Sequence, residues 1–207
     1  MRNAHPVRPA ISRSRGRGLG ETLVVLALMS WFTAIGVPVA GESLRRARLR
    51  GAAREMGMLF RRARSEAALQ CRNVGVVFFA AEWYHYSLHL DGNGNGIRMQ
   101  EARRGIDPRV AGPFSMSERF PGVEVRIAPP PPIPEVPPDT GKLDDLDDPV
   151  KFVPSDIVSF SPAGSSSPGT LYLSMGVSRM SAVRVLGATG RVKFWEYDAR
   201  GRRWEER

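Results

Sequence analysis

The run Asp91-Gly92-Asn93-Gly94-Asn95-Gly96 is the nearest thing to a chemical motif in this chain. Asp91, Asn93, Asn95 and Gly96 match the first half of a calcium loop, where alternate side-chain oxygens turn inward and a glycine permits the sharp turn. The second half departs from that pattern. The closing bidentate glutamate belongs at the twelfth position, which is Ala102, and Glu101 stands one place early. The same residues also suit a Gly/Asn turn held by its own side-chain hydrogen bonds, and both readings stay open, with calcium the one candidate cofactor. His85 and His89 share a strand face just upstream, with Asp91 close behind, which gives a second metal candidate. Partly exposed strand histidines account for them equally well. No serine sits in a nucleophile elbow, no glycine-rich loop carries a Walker lysine, and no carboxylates pair in a cleft pattern. The residues therefore give no reason to expect an enzyme.

A second chemistry is suggested at the C-terminal end. Arg191, Lys193, Arg200, Arg202, Arg203 and Arg207 alternate with Trp195, Tyr197 and Trp204. Guanidinium and ammonium groups contact phosphates, and aromatic faces stack on bases, so DNA is a candidate partner. Glu196, Asp198, Glu205 and Glu206 dilute that charge. The formal net charge of +9 over 207 residues is a weak guide, because it is concentrated in two places. Arg2, Arg8, Arg13, Arg15 and Arg17 crowd the start, and Arg45, Arg46, Arg48, Arg50, Arg54, Arg61, Arg62 and Arg64 follow an apolar run. Cys71 is the single cysteine, so no intramolecular disulfide forms.

The elements that must position these residues begin with Glu21–Ser43. No charge falls between Glu21 and Glu42, a stretch of about 20 residues that is long enough to cross a bilayer as a helix. Arginines flank it on both sides, so charge alone does not orient it. From Ser43 to Leu69 the helix is expected to continue, with Leu49, Ala52, Ala53, Met56, Leu59, Phe60, Ala63 and Ala67 as an apolar stripe and arginines on the other face. That basic face reads as solvated, or as a juxtamembrane surface on anionic lipid. Val74–Ala80 and Trp83–Leu90 read as two strands, with Ala81 and Glu82 near their turn. Residues 97–122 read as irregular or briefly helical, and Val123–Ile127 as a candidate strand. A Pro-rich and acidic insertion follows at about 128–156; its Asp144, Asp145, Asp147 and Asp148 read as a solvated face or as a docking loop for a basic neighbour. Ile157–Phe160, Thr170–Ser174, Ser181–Leu186 and Arg191–Tyr197 then alternate as strands between Gly/Ser/Pro turns.

Three segments together resemble a known family. Gly16–Leu28, GRGLGETLVVLAL, is similar to the amino terminus of type IV pilins and type II secretion pseudopilins, with Glu21 on the family's glutamate and Pro38 at the family's spacing from it. Ala63-Arg64-Ser65-Glu66-Ala67, and the later GTLYLS and AVRVLGATGRVKF stretches, resemble the GspH/FimT-type members in particular. The resemblance implies a basic leader, residues 1–16, removed by a prepilin peptidase after Gly16, with N-methylation of Arg17. A rival register cuts after Gly18 and begins at Leu19. It further implies an α+β pilin-like fold: a long hydrophobic N-terminal helix over 17–70, transmembrane in its first half, packed on a C-terminal antiparallel β-sheet domain over 71–207. The implied protein is a minor pseudopilin or pilin of a type II secretion system or type IV pilus. It would sit in the bacterial inner membrane with its C-terminal domain periplasmic, then join other pilin subunits in a filament. Glu21 would pair with a neighbour's N-terminal amine, and Pro38 would permit a local break in the helix. Capture of DNA by the basic C-terminal region is the alternative within that family. Outside it stand a secretory signal peptide cut near Ala40 and a single-span protein with an unrelated β domain.

Overall fold

The computed structural model describes residues 18–80, 84–128, 130–177 and 179–207, without the side chains of 35–39. The basic leader, Gly16 and Arg17, the turn at Ala81 and Glu82 with Trp83, and the Pro38 side chain thus lie outside the described residues. The chain forms two compact units, Met1–Ser43 and Leu44–Arg207.

Helix α1 runs over Leu19–Gln70, 52 residues. The Gly18 carbonyl accepts from the N–H groups of Glu21 and Thr22 at 2.9 and 3.3 Å. Glu21 puts a carboxylate in the first turn, where the helix dipole favours negative charge. From Leu44 onward the helix is rich in Ala, Arg, Leu, Met and Glu, all good helix formers. It stops at Cys71, whose φ of 50° is left-handed, a common helix ending. The expected stripe is buried at Leu49, Ala52, Ala53, Met56, Phe60, Ala63 and Ala67, with Leu59 half-buried beside them.

Two antiparallel sheets make up most of the rest. The first contains β1 (Val74–Phe79), β2 (His85–Leu90), β3 (Arg109–Ser115) and β5 (Ile157–Phe160), in the order β3-β2-β1-β5. The second contains β4 (Val150–Phe152), β6 (Gly169–Met175), β7 (Arg179–Leu186), β8 (Arg191–Asp198) and β9 (Arg203–Glu206), in the order β4-β6-β7-β8-β9. The α1 stripe shares one core with both sheets: Val76 and Phe78 of β1, Leu88 of β2, Phe160 of β5, Leu171 and Leu173 of β6, and Val183 and Val185 of β7. Alternation gives each sheet a second apolar face, and each is covered. A short helix α2 (Met99–Arg104) and Ile97 cover Val77 and Ile157. The insertion covers the second sheet, with Ile127, Ile133, Val136 and Leu143 packed on Tyr172, Met180, Ala182, Trp195, Tyr197 and Trp204.

The expected α+β class, a long hydrophobic helix packed on one antiparallel sheet domain, is corrected. Beyond α1 the regular structure is mostly β, in two antiparallel sheets rather than one. Among the described residues no helix is long and apolar enough to cross a membrane. Helix α1 is long, but it turns arginine-rich from Arg45 on, so apolar character is confined there to the stripe. Local readings change too. Val123–Ile127 is no strand; only Glu124 bridges, to Ser174, while Val123, Val125 and Ile127 are buried by packing. Residues 97–122 hold the edge strand β3 and a one-turn helix α3 (Met116–Arg119) besides α2. The insertion contains β4, and the basic tail contains β9.

Candidate functional site

The motif loop spends its oxygens on its own backbone. Asp91 is 1% exposed. Its Oδ1 accepts from the Gly94 N–H at 2.7 Å, and its Oδ2 accepts from the Gly96 N–H at 2.8 Å and from Asn73 Nδ2 at 2.9 Å. Burial alone would raise this carboxyl; the bonds from Asn73 and from the Gly96, Gly94 and Asn93 N–H groups outweigh it and hold it below the usual carboxylate range. Gly94 and Gly96 have φ of 81° and 87°, so the turn requires glycine at both. Asn93 and Asn95 each donate through Nδ2 to one oxygen of Glu101, both at 3.0 Å. This is the self-satisfied turn rather than a ring of inward oxygens. Asp107, fully buried and not singled out from the sequence, ties the loop's two ends by accepting from the Gly92 and Arg98 N–H groups, both at 3.1 Å.

The histidine reading changes in the same way. His89 is 3% exposed, not partly open, and His85 is half-buried. His89 Nδ1 lies 2.9 Å from the Asp107 carbonyl, which can only accept, so that nitrogen carries the proton. Its Nε2 lies 2.8 Å from the Ser87 hydroxyl. Among the described residues no group of three or more His, Cys, Asp or Glu side chains is placed to hold a metal ion.

The basic tail is folded rather than free. Trp195, Tyr197 and Trp204 are 9, 7 and 8% exposed, and Trp204 Nε1 donates to the Pro134 carbonyl at 2.8 Å. The faces that base stacking needs are therefore packed inside. Lys193 pairs with Glu206 at 2.9 Å and Arg203 with Glu205 at 3.2 Å. Arg191, Arg200 and Arg202 are exposed. The insertion is pinned from beneath by Arg184, a residue sequence reasoning missed. Arg184 is 9% exposed and donates to the Val136 carbonyl at 3.1 Å and to Asp139 at 2.6 Å. The signal for it was present, since Arg184 is the one charge between Met180 and Leu186 of β7.

The remaining candidate is the start of α1. Leu23, Val24, Val25 and Leu26 are 63, 59, 48 and 59% exposed, and Trp31 and Phe32 are 69 and 76% exposed. Four consecutive helical positions sweep almost the whole circumference, so this is no amphipathic stripe. Glu21 and the alternative cleavage pair, Gly18 and Leu19, are exposed beside it. Compared with known proteins, the chain matches no family model, no curated protein and no solved structure.

Proposed function

We propose that this chain is a minor subunit of a type II secretion system or type IV pilus, a structural protein rather than an enzyme. The observation that carries the reading is the apolar start of α1, bare on all sides, with Glu21 as its one carboxylate. Such a surface needs lipid or other apolar helices around it. In the sequence the charge-free run continues to Gly41, about 20 residues in all, the length of a bilayer crossing. The precursor is held by that run in the bacterial inner membrane, with Leu44–Arg207 on the periplasmic side. A prepilin peptidase removes the leader after Gly16, or after Gly18 in the rival register. The run then passes from lipid into a bundle of like helices. A lone carboxylate in that bundle is costly without a partner. The amine freed by cleavage on a neighbouring subunit supplies one for Glu21 and sets the axial register.

Co-expression with a prepilin peptidase, followed by intact mass and N-terminal sequencing, tests the reading. Cleavage after Gly16 with a methylated Arg17 is expected. An uncut chain, or a cut near Ala40, overturns it.

A further inference from the structure

A seam lined with arginine runs between the second half of α1 and β8. At one end Arg50 and Arg207 both bond Glu196, at 2.8 and 3.1 Å, and Arg54 lines the same cavity of about 290 Å³. Midway, the Arg61 guanidinium lies 5.4 Å from the Phe194 ring centre. At the other end Arg61 and Arg64 line a cavity of about 520 Å³ with Pro162, Ala163 and Gly164. The positions 50, 54, 61 and 64 fall on one helix face at 3.6 residues per turn. Among the described residues no carboxylate pairs with Arg54, Arg61 or Arg64. The cation excess on this seam is therefore unanswered among the described residues.

An anionic surface is unanswered too. Asp144, Asp145 and Asp147 are exposed on the segment that leads into β4. Among the described residues the one cation paired with them is Lys151, 3.8 Å from Asp144, whose own side chain is 94% exposed. Asp144 Oδ1 and Asp145 Oδ1 accept from the N–H groups of Asp145 and Asp147, which shapes the run as a turn and leaves the second oxygen of each carboxylate open to a partner. In the second sheet β4 is an edge strand, and β8 lies three strands away. At the usual strand spacing that is about 14 Å, so one molecule cannot bring its own acidic turn onto its own seam.

We infer that the arginine seam of one copy receives the Asp144–Asp147 turn of a second copy of this chain. The contact is head-to-tail, because the two surfaces are different patches, one beside the edge strand β4 and one along β8, and repetition gives a ring or an open row. The inference does not rest on the filament reading. The apolar start of α1 takes no part in it, and steep salt sensitivity sets it apart from any association through that helix.

The test uses the full chain in nonionic detergent, with self-association followed by sedimentation. Association that weakens at least tenfold between about 0.05 M and about 0.5 M salt is expected. Arg61→Glu with Arg64→Glu should lose it, and so should Asp144→Lys with Asp145→Lys, each with an unchanged thermal midpoint. Mixing the two variants should restore it, since each then offers the charge the other lost. A photo-crosslinking residue at position 145 should link to the 61–68 or 162–164 stretch of another copy. Association that is equal in all variants and insensitive to salt overturns the inference, as does failure of the mixture to restore it. So does a wild type that stays monomeric while binding a single-stranded DNA oligonucleotide through the same arginines.

Discussion

Gly57 lies where α1 passes over β8, and a Cβ there would overlap the Phe194 ring. Alanine would gain about 1 kcal/mol in helix propensity, while overpacking costs about 1–3 kcal/mol. Gly57→Ala should therefore lower stability by about 1 kcal/mol in urea denaturation, and Gly57→Leu by more. Arg184→Ala should cost about 2 kcal/mol, read as a fall in Tm. It strips a donor from the buried Val136 carbonyl, while the half-exposed Asp139 can turn to water. Burial alone would raise the Glu196 carboxyl, but the Arg50 hydrogen bond and the charges of Arg50 and Arg207 hold it below the usual range. A depressed folded-state value means stability that is present above the ordinary glutamate range and lost as pH falls through the depressed value. Glu196→Gln should thus lose less stability than the wild type between about pH 5 and about pH 3. At this scale the sequence showed that Asp91 mattered but not for what. Alternating Asp and Asn oxygens with glycines serve a calcium loop and a self-bonded turn alike, and only the placement of Asn73, Glu101 and Asp107 separates the two. With Asp91 spent on N–H groups, millimolar calcium should leave the Tm unchanged; a rise would show a bound ion.

Among the elements, the α1 stripe and the strands β6, β7 and β8 were legible because their periods are unmixed over long runs. The missed strands are the short or interrupted ones. β4 has three residues, β9 has four, and β3 holds Gly112 and Pro113, which read as a breaker. Each becomes a strand because a neighbour already offers an edge, as when β9 pairs Trp204 with Tyr197. The insertion misled for another reason. Its prolines and aspartates are what a solvated loop contains, and the four apolar residues that make it a cover lie far apart among them. Trp204→Ala should free that cover. Loss of a buried Trp costs about 3–5 kcal/mol, and limited proteolysis should then cut within 130–146 before the sheets unfold.

At the scale of the molecule, the two-sheet arrangement was not legible. Which strand lies beside β1 depends on β5, far along the chain, and no local period encodes such a pairing. The unit Leu44–Arg207 has its own core in α1's stripe and both sheets. Produced without residues 1–43, it should unfold in one cooperative transition in a urea titration, with fluorescence and far-UV signals changing together. The Trp204–Pro134 hydrogen bond also bears on how the protein is made. A ribosome delivers the chain amino end first. The cover over the second sheet, with its Pro134, is synthesised 70 residues before the Trp204 that fastens it. Until Trp204 is made, Tyr172, Met180 and Trp195 have only an unlatched cover. A chain cut short before Trp204 would leave that unfastened cover open to any protease.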